Sequence, residues 1–152
     1  MYDVKVTTSK ASSDCGAACM VSFLAYYGID ITLEEARKEC NTRISGCTGK
    51  DLLTCGRKHG LDMRAWKELE DSETPETPDA VINHAEILKM DRPGICWWKF
   101  NHWIIFCGVD DRGKVIIMNP TRGRYSISES LFKAFYSGVL ITNGEPPELP
   151  EE

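Results

Sequence analysis

The sequence predicts an α+β domain, with helices in the first half and an antiparallel sheet in the second. Two observations lead there. Up to Gly60 the apolar residues recur at helical spacing behind Ser/Thr/Asp starts, and from Leu61 the period falls to two and short apolar runs are separated by turn residues. A third observation bounds the size. The chain has 152 residues and 42% hydrophobic content, enough for one core and one domain.

Residues 1–11 open on the alternation Tyr2, Val4, Val6, a short strand or extended arm, and then turn polar. Ser12, Ser13 and Asp14 are helix-capping types. Behind them Ala17, Met20, Val21 and Leu24 fall at i, i+3, i+4 and i+7, and Gly28 supplies a stop. Thr32 with Glu35 forms a capping box before a second helix over about 33–40. Thr48 with Asp51 repeats it before a third over about 49–59, stopped by Gly60.

Leu61 to Trp66 alternates as a half-buried strand does. Glu68 to Pro78, acidic and carrying two prolines, reads as an exposed loop, and 79–90 as a short helix. Strands follow at 94–98, 102–109 and 114–118, the last two joined by the hairpin signal Asp110-Asp111-Arg112-Gly113. Asn119-Pro120 ends the third of them. Ser128 then caps a helix carrying Leu131, Phe132 and Phe135, and Val139–Ile141 closes the sheet. By this reading residues 1–144 form the domain and the Pro/Glu-rich 145–152 a linker or tail.

Composition excludes several functions. Net charge is −5 with no Lys/Arg run, so nucleic acid is not an expected partner. No apolar run approaches the roughly 18 residues of a membrane span, and the N-terminus lacks a signal-peptide core. Seven cysteines are an odd number without a disulfide-framework spacing, which points to a reducing, cytosolic setting. No C-x-x-C pair occurs and the histidines stand apart at 59, 84 and 102, so neither a metal site nor a cofactor is expected.

Chemistry is expected at Cys15. A thiol in the first turn of a helix feels the positive end of the dipole and the unpaired first-turn N–H groups, which favour thiolate. Cys19, one turn on, reads as core. A nucleophilic thiol needs a histidine and a third polar group to orient the ring. His102 opens an apolar strand directly after Lys99 and Asn101, at the strand's edge. His59 fits a helix C-terminal contact, and His84 is expected to be exposed. Asn119 lies 17 positions after His102, and pairing about the Asp111–Arg112 turn returns it to the level of 102–104, where its side chain can accept the imidazole Nδ1–H.

Asp14-Cys15-Gly16-Ala17-Ala18, Leu24-Ala25-Tyr26-Tyr27-Gly28, Asn101-His102-Trp103-Ile104-Ile105, Asn119-Pro120 and Phe135-Tyr136-Ser137-Gly138-Val139-Leu140 together resemble the peptidase domain of peptidase-containing ABC transporters. That family comprises papain-like cysteine proteases of bacteriocin and lanthipeptide exporters, and the resemblance covers about residues 9–144. It implies a papain-like fold and cleavage of a helical leader after a Gly-Gly or Gly-Ala pair. It also implies a transporter partner, an isolated domain that is monomeric, and a place at the cytoplasmic face of the membrane. Cys15 matches the nucleophile and His102 the base. The chain departs from the pattern twice, with Asn119 where the family has Asp and Ser9 where it has the Gln that donates to the oxyanion beside the Cys15 backbone N–H. A slot that admits only glycines would be walled by Trp97, Trp98 or Trp103, residues equally suited to ordinary core. The rival function is a leader-binding module of the same fold that does not cut.

Overall fold

The structure is a computed structural model and describes residues 1–67, 80–81 and 84–144. The acidic stretch Glu68–Pro78 and the tail 145–152 lie outside the described residues.

Three helices come first: α1 (Cys15–Tyr26), α2 (Leu33–Glu39) and α3 (Gly49–Lys58). Both expected capping boxes form. The Thr32 hydroxyl accepts from Glu35 N–H at 3.0 Å and Glu35 accepts from Thr32 N–H at 3.2 Å, and Thr48 and Asp51 repeat the exchange at 3.1 and 2.8 Å. Every residue of α1 from Cys15 to Leu24 is buried, because its small residues let other elements close in on all sides. Ala17 and Val21 pack on Ala36 of α2, while Met20, Phe23 and Leu24 face the sheet.

Among the described residues the strands are β1 (Met63–Lys67), β2 (Ala80–Val81), β3 (Gly94–Trp98), β4 (His102–Val109), β5 (Val115–Asn119), β6 (Gly123–Ile127) and β7 (Tyr136–Asn143), ordered β2-β1-β7-β3-β4-β5-β6. All pairs are antiparallel except β1–β2. Two differences from expectation stand out. Ala80–Val81, expected in a helix, is a short parallel strand on the β1 edge, so α4 (His84–Ile87) is reduced to four residues. Residues 123–127, to which the sequence assigned no element, form β6, because Gly123 turns the chain at φ +88° and Arg124 comes back opposite Met118. After β6, α5 (Glu129–Phe135) is capped by Ser128 as expected.

The near-continuous apolar runs of β4 and β5 have their reason in burial on both faces. On one face Trp103, Ile105 and Cys107 meet α1. On the other Trp98, Ile104, Phe106 and Ile117 meet Phe132 and Tyr136. Fully burying each such side chain contributes about 1.5–3 kcal/mol. All seven cysteines are buried and unpaired. The N-terminal arm lies against β4, with Tyr2 N–H donating to the Cys107 carbonyl at 2.8 Å and Arg124 holding the Tyr2 and Val4 carbonyls at 2.8 and 3.1 Å. Gly108 permits that approach, since a Cβ there would stand 2.8 Å from Met1 Cα.

Candidate active site

The site is assembled from the start of α1, the start of β4 and the end of β5. Before α1 the chain makes a 3-10 turn, Ser12–Asp14. The expected cap is not what forms. Asp14 stands at the N-cap without a side-chain bond into α1; its carboxylate, 1% exposed, turns back to accept from Ala11 N–H at 3.0 Å and Lys10 N–H at 3.2 Å. Arg37 Nε of α2 pairs with its other oxygen at 2.9 Å. A buried carboxylate needs such partners, and here they fix the backbone that delivers Cys15.

Cys15 is 5% exposed. Burial raises its pKa above the ordinary thiol value, against the backbone N–H groups of Trp103, Gly16 and Cys15 itself, which pull it down. The helix start therefore pulls in the expected direction but is outweighed by desolvation, and the shift is upward. Gly16 is required here: a Cβ would lie 3.1 Å from Cys47 Cβ and 3.2 Å from Trp103 Cδ1. Trp103 is locked over this position by its indole N–H, which donates to the Cys47 carbonyl at 3.1 Å.

His102 is half-buried at the first position of β4, one residue before the amide that meets the Cys15 thiol. Its Nε2 lies 2.8 Å from Asn119 Oδ1. The partner is as expected but the nitrogen is not: Nε2 and not Nδ1 faces Asn119. Burial lowers the His102 pKa, the Asn119 acceptor raises it, and Lys99 lowers it.

Asn119 is 4% exposed and its amide orientation is determined by neighbours that sequence reasoning missed. Oδ1 also accepts from Thr121 N–H at 3.0 Å and Thr121 Oγ1–H at 2.8 Å, and Nδ2 donates to Tyr125 Oη at 3.2 Å. The signal for Thr121 was present. Asn-Pro-Thr is an Asx-turn sequence, in which the Asn oxygen takes the N–H two residues on. Asn119 is thus both the turn residue and the partner of His102.

Ser9 is brought to the same edge by its N–H, which donates to the Pro120 carbonyl at 2.9 Å, and its Oγ is buried with no hydrogen-bond partner among the described residues. The tryptophans divide. Trp97, half-buried, packs on Trp103 with ring centroids 4.6 Å apart on the α1 face. Trp98, 2% exposed, packs on Phe132 and Phe135 in the opposite core and is not available as a slot wall. His59 stands at the C-terminal end of α3, as expected, and its Nε2 lies 2.5 Å from Glu39 Oε1.

Among known proteins, the chain is 25% identical over 138 residues to the lactococcin-G-processing and transport ATP-binding protein of Lactococcus lactis subsp. lactis, covering 90% of this chain and 18% of that protein. The colicin V secretion/processing ATP-binding protein of Escherichia coli gives 25% identity over 91% of this chain and 18% of its own length. The chain therefore spans about a fifth of these relatives. A solved double glycine motif protease from an AMS/PCAT transporter, in complex with its leader peptide, superposes with a TM-score of 0.78 at 24% identity, covering 91% of this chain and 89% of the other. The described helices and sheet thus form the α+β, papain-like fold that the sequence led us to expect. The model of the peptidase C39 family matches residues 3–147, and the chain belongs to that family.

Proposed function

We propose that residues 1–144 form a cysteine endopeptidase that removes leader peptides after a double-glycine-type pair, with Cys15 as nucleophile, His102 as base and Asn119 as the residue orienting His102. One observation carries this reading: an imidazole fixed by a buried amide at 2.8 Å stands beside the strand residue whose N–H meets the Cys15 thiol. With Nε2 engaged by Asn119, Nδ1 is the nitrogen left for proton exchange.

Burial favours the neutral thiol and the neutral imidazole together, so His102 acts as a general base. It takes the thiol proton as Sγ attacks the scissile carbonyl, returns it to the leaving amine, and then activates the water that hydrolyses the thioester. The oxyanion is received by the Cys15 backbone N–H at the start of α1. Ser9 occupies the position of the second donor, and its short side chain makes this a slow peptidase, since one such donor is worth about 10²–10³ in rate. Trp97 and Trp103 wall the slot that excludes side chains at the cleavage pair. A helical leader docks by its apolar face.

The partners by this reading are a precursor peptide and an ABC transporter membrane domain, with the peptidase monomeric in isolation at the cytoplasmic face of a membrane. Among the described residues no helix is long and apolar enough to cross one.

Ser9 also favours a second reading, a leader-binding module that does not cut. Incubating the reduced protein with double-glycine leader peptides and following masses separates the two. Cleavage after the second glycine, abolished when either glycine is replaced by valine, supports the peptidase. Saturable binding of intact leader with no product over days supports the module.

A further inference from the structure

Outside the Cys15–His102–Asn119 group, the ends of α2 and α3 converge on a second set of reactive side chains. Cys55 and His59 stand one helical turn apart at the end of α3, so their side chains share a face. Glu39, the last residue of α2, meets both: its Oε1 lies 2.5 Å from His59 Nε2 and 3.9 Å from Cys55 Sγ. The three donor atoms all lie within 4.8 Å of one another. Cys40, next in sequence, is fully buried beside them.

We propose that Glu39, Cys55 and His59 bind a divalent cation of the zinc class. The donor set decides the class. A thiolate, an imidazole and a carboxylate suit a borderline-soft ion and exclude calcium or magnesium, which take oxygen ligands. The spacing is close to what a tetrahedral ion needs. With bonds of about 2.0–2.3 Å the ligand atoms stand about 3.3–3.8 Å apart, so the His59–Glu39 contact must open by about 1 Å while the Glu39–Cys55 separation already lies near that span. The His59 and Glu39 side chains are 20% and 19% exposed, which leaves them room to move and gives the ion a path from solvent. Cys55 and Cys40, both fully buried, form the inner wall. On binding, the Cys55 thiol releases its proton to solvent and the sulfur lone pair bonds the metal, with no change of oxidation state.

An ion there would tie the last residues of α2 to the end of α3 across the 41–48 connection. That connection carries Cys47, whose carbonyl holds the Trp103 indole and whose side chain lies against Gly16. The site is thus a structural clamp behind the nucleophile, and its sequence spacing, Glu39…Cys55-x3-His59, escapes a search for paired C-x-x-C motifs.

The test uses the whole chain as Cys15→Ala, reduced and metal-free, titrated with Zn²⁺ against a chromogenic chelator and separately with Co²⁺. One tight equivalent is expected, with cobalt showing the bands of a tetrahedral site and a thiolate charge-transfer band. Cys55→Ser and His59→Gln should each weaken Zn²⁺ binding by at least about 10-fold. Should Cys55→Ser fail to fold, His59→Gln and a Zn²⁺-dependent rise in Tm of the parent carry the comparison. Less than one equivalent bound, a cobalt spectrum without thiolate, or unchanged affinity in folded His59→Gln overturns the proposal.

Discussion

Replacing Asn119 by alanine should lower kcat by about 10–150-fold while leaving KM nearly unchanged. Oδ1 of Asn119 accepts from His102 at 2.8 Å, and during acyl transfer that ring becomes an imidazolium. A hydrogen bond to a charged group is worth about 1.5–3 kcal/mol, and each 1.4 kcal/mol is about tenfold in rate, which gives the stated range. The bond strengthens only as charge develops, so the loss falls on kcat. The pH profile adds an independent readout. Activity requires neutral His102, whose pKa burial already holds below 6.5 while Asn119 raises it. The acid limb of kcat/KM should therefore lie below pH 6.5, move to still lower pH in Asn119→Ala, and move up in Asn119→Asp. Steady-state cleavage of a double-glycine leader peptide by chromatography, from acid to neutral pH, measures both. Unchanged kcat together with an unmoved limb would refute the reasoning and return Asn119 to the role of a turn residue.

Three further outcomes follow from the site. Ser9→Gln should raise kcat by up to about 10²–10³-fold with little change in leader affinity, measured by the same assay; an unchanged or lower kcat in a folded protein means another group already serves the oxyanion. Gly16→Ala puts a methyl 3.1–3.2 Å from Cys47 Cβ and Trp103 Cδ1, so it should cost about 1–3 kcal/mol in denaturant unfolding and lower kcat by displacing Trp103. Inactivation of the free protein by iodoacetamide should accelerate as pH rises above neutral, because burial holds the Cys15 thiol protonated; a rate independent of pH would show a thiolate already present.

Much of this was legible in the chain because local chemistry dictates it. The capping boxes at Thr32 and Thr48 form as written. The hairpin closes at Gly113 in the left-handed conformation, with Asp110 accepting the Arg112 and Lys114 N–H groups. The turn sets Val109 opposite Val115, and a one-residue shift between Phe106 and Val109 then pairs Ile105 with Met118, which puts Asn119 at the level of Ile104. What was hidden depends on groups distant in sequence or on the dielectric. Asp14 reads as a helix cap until Arg37 of α2 is brought to it. The His102 nitrogen that faces Asn119 depends on the direction from which the sheet edge presents the ring. The resting state of Cys15 depends on how much protein covers it, which a helix start alone does not report. The gathering of Glu39, Cys55 and His59 depends on how α2 and α3 pack, and periodicity places each residue on its own helix only.

The central claim is that Cys15 attacks the peptide bond after a glycine pair, and acid-quenched mass spectrometry of the protein mixed with a double-glycine leader peptide tests it most directly. The account predicts an intact-protein adduct of the leader fragment less one water, mapped by peptide digestion to Cys15, lost in Cys15→Ala and accumulating before free leader appears. An adduct on Cys47 or any other cysteine, or leader product released by Cys15→Ala, would contradict it.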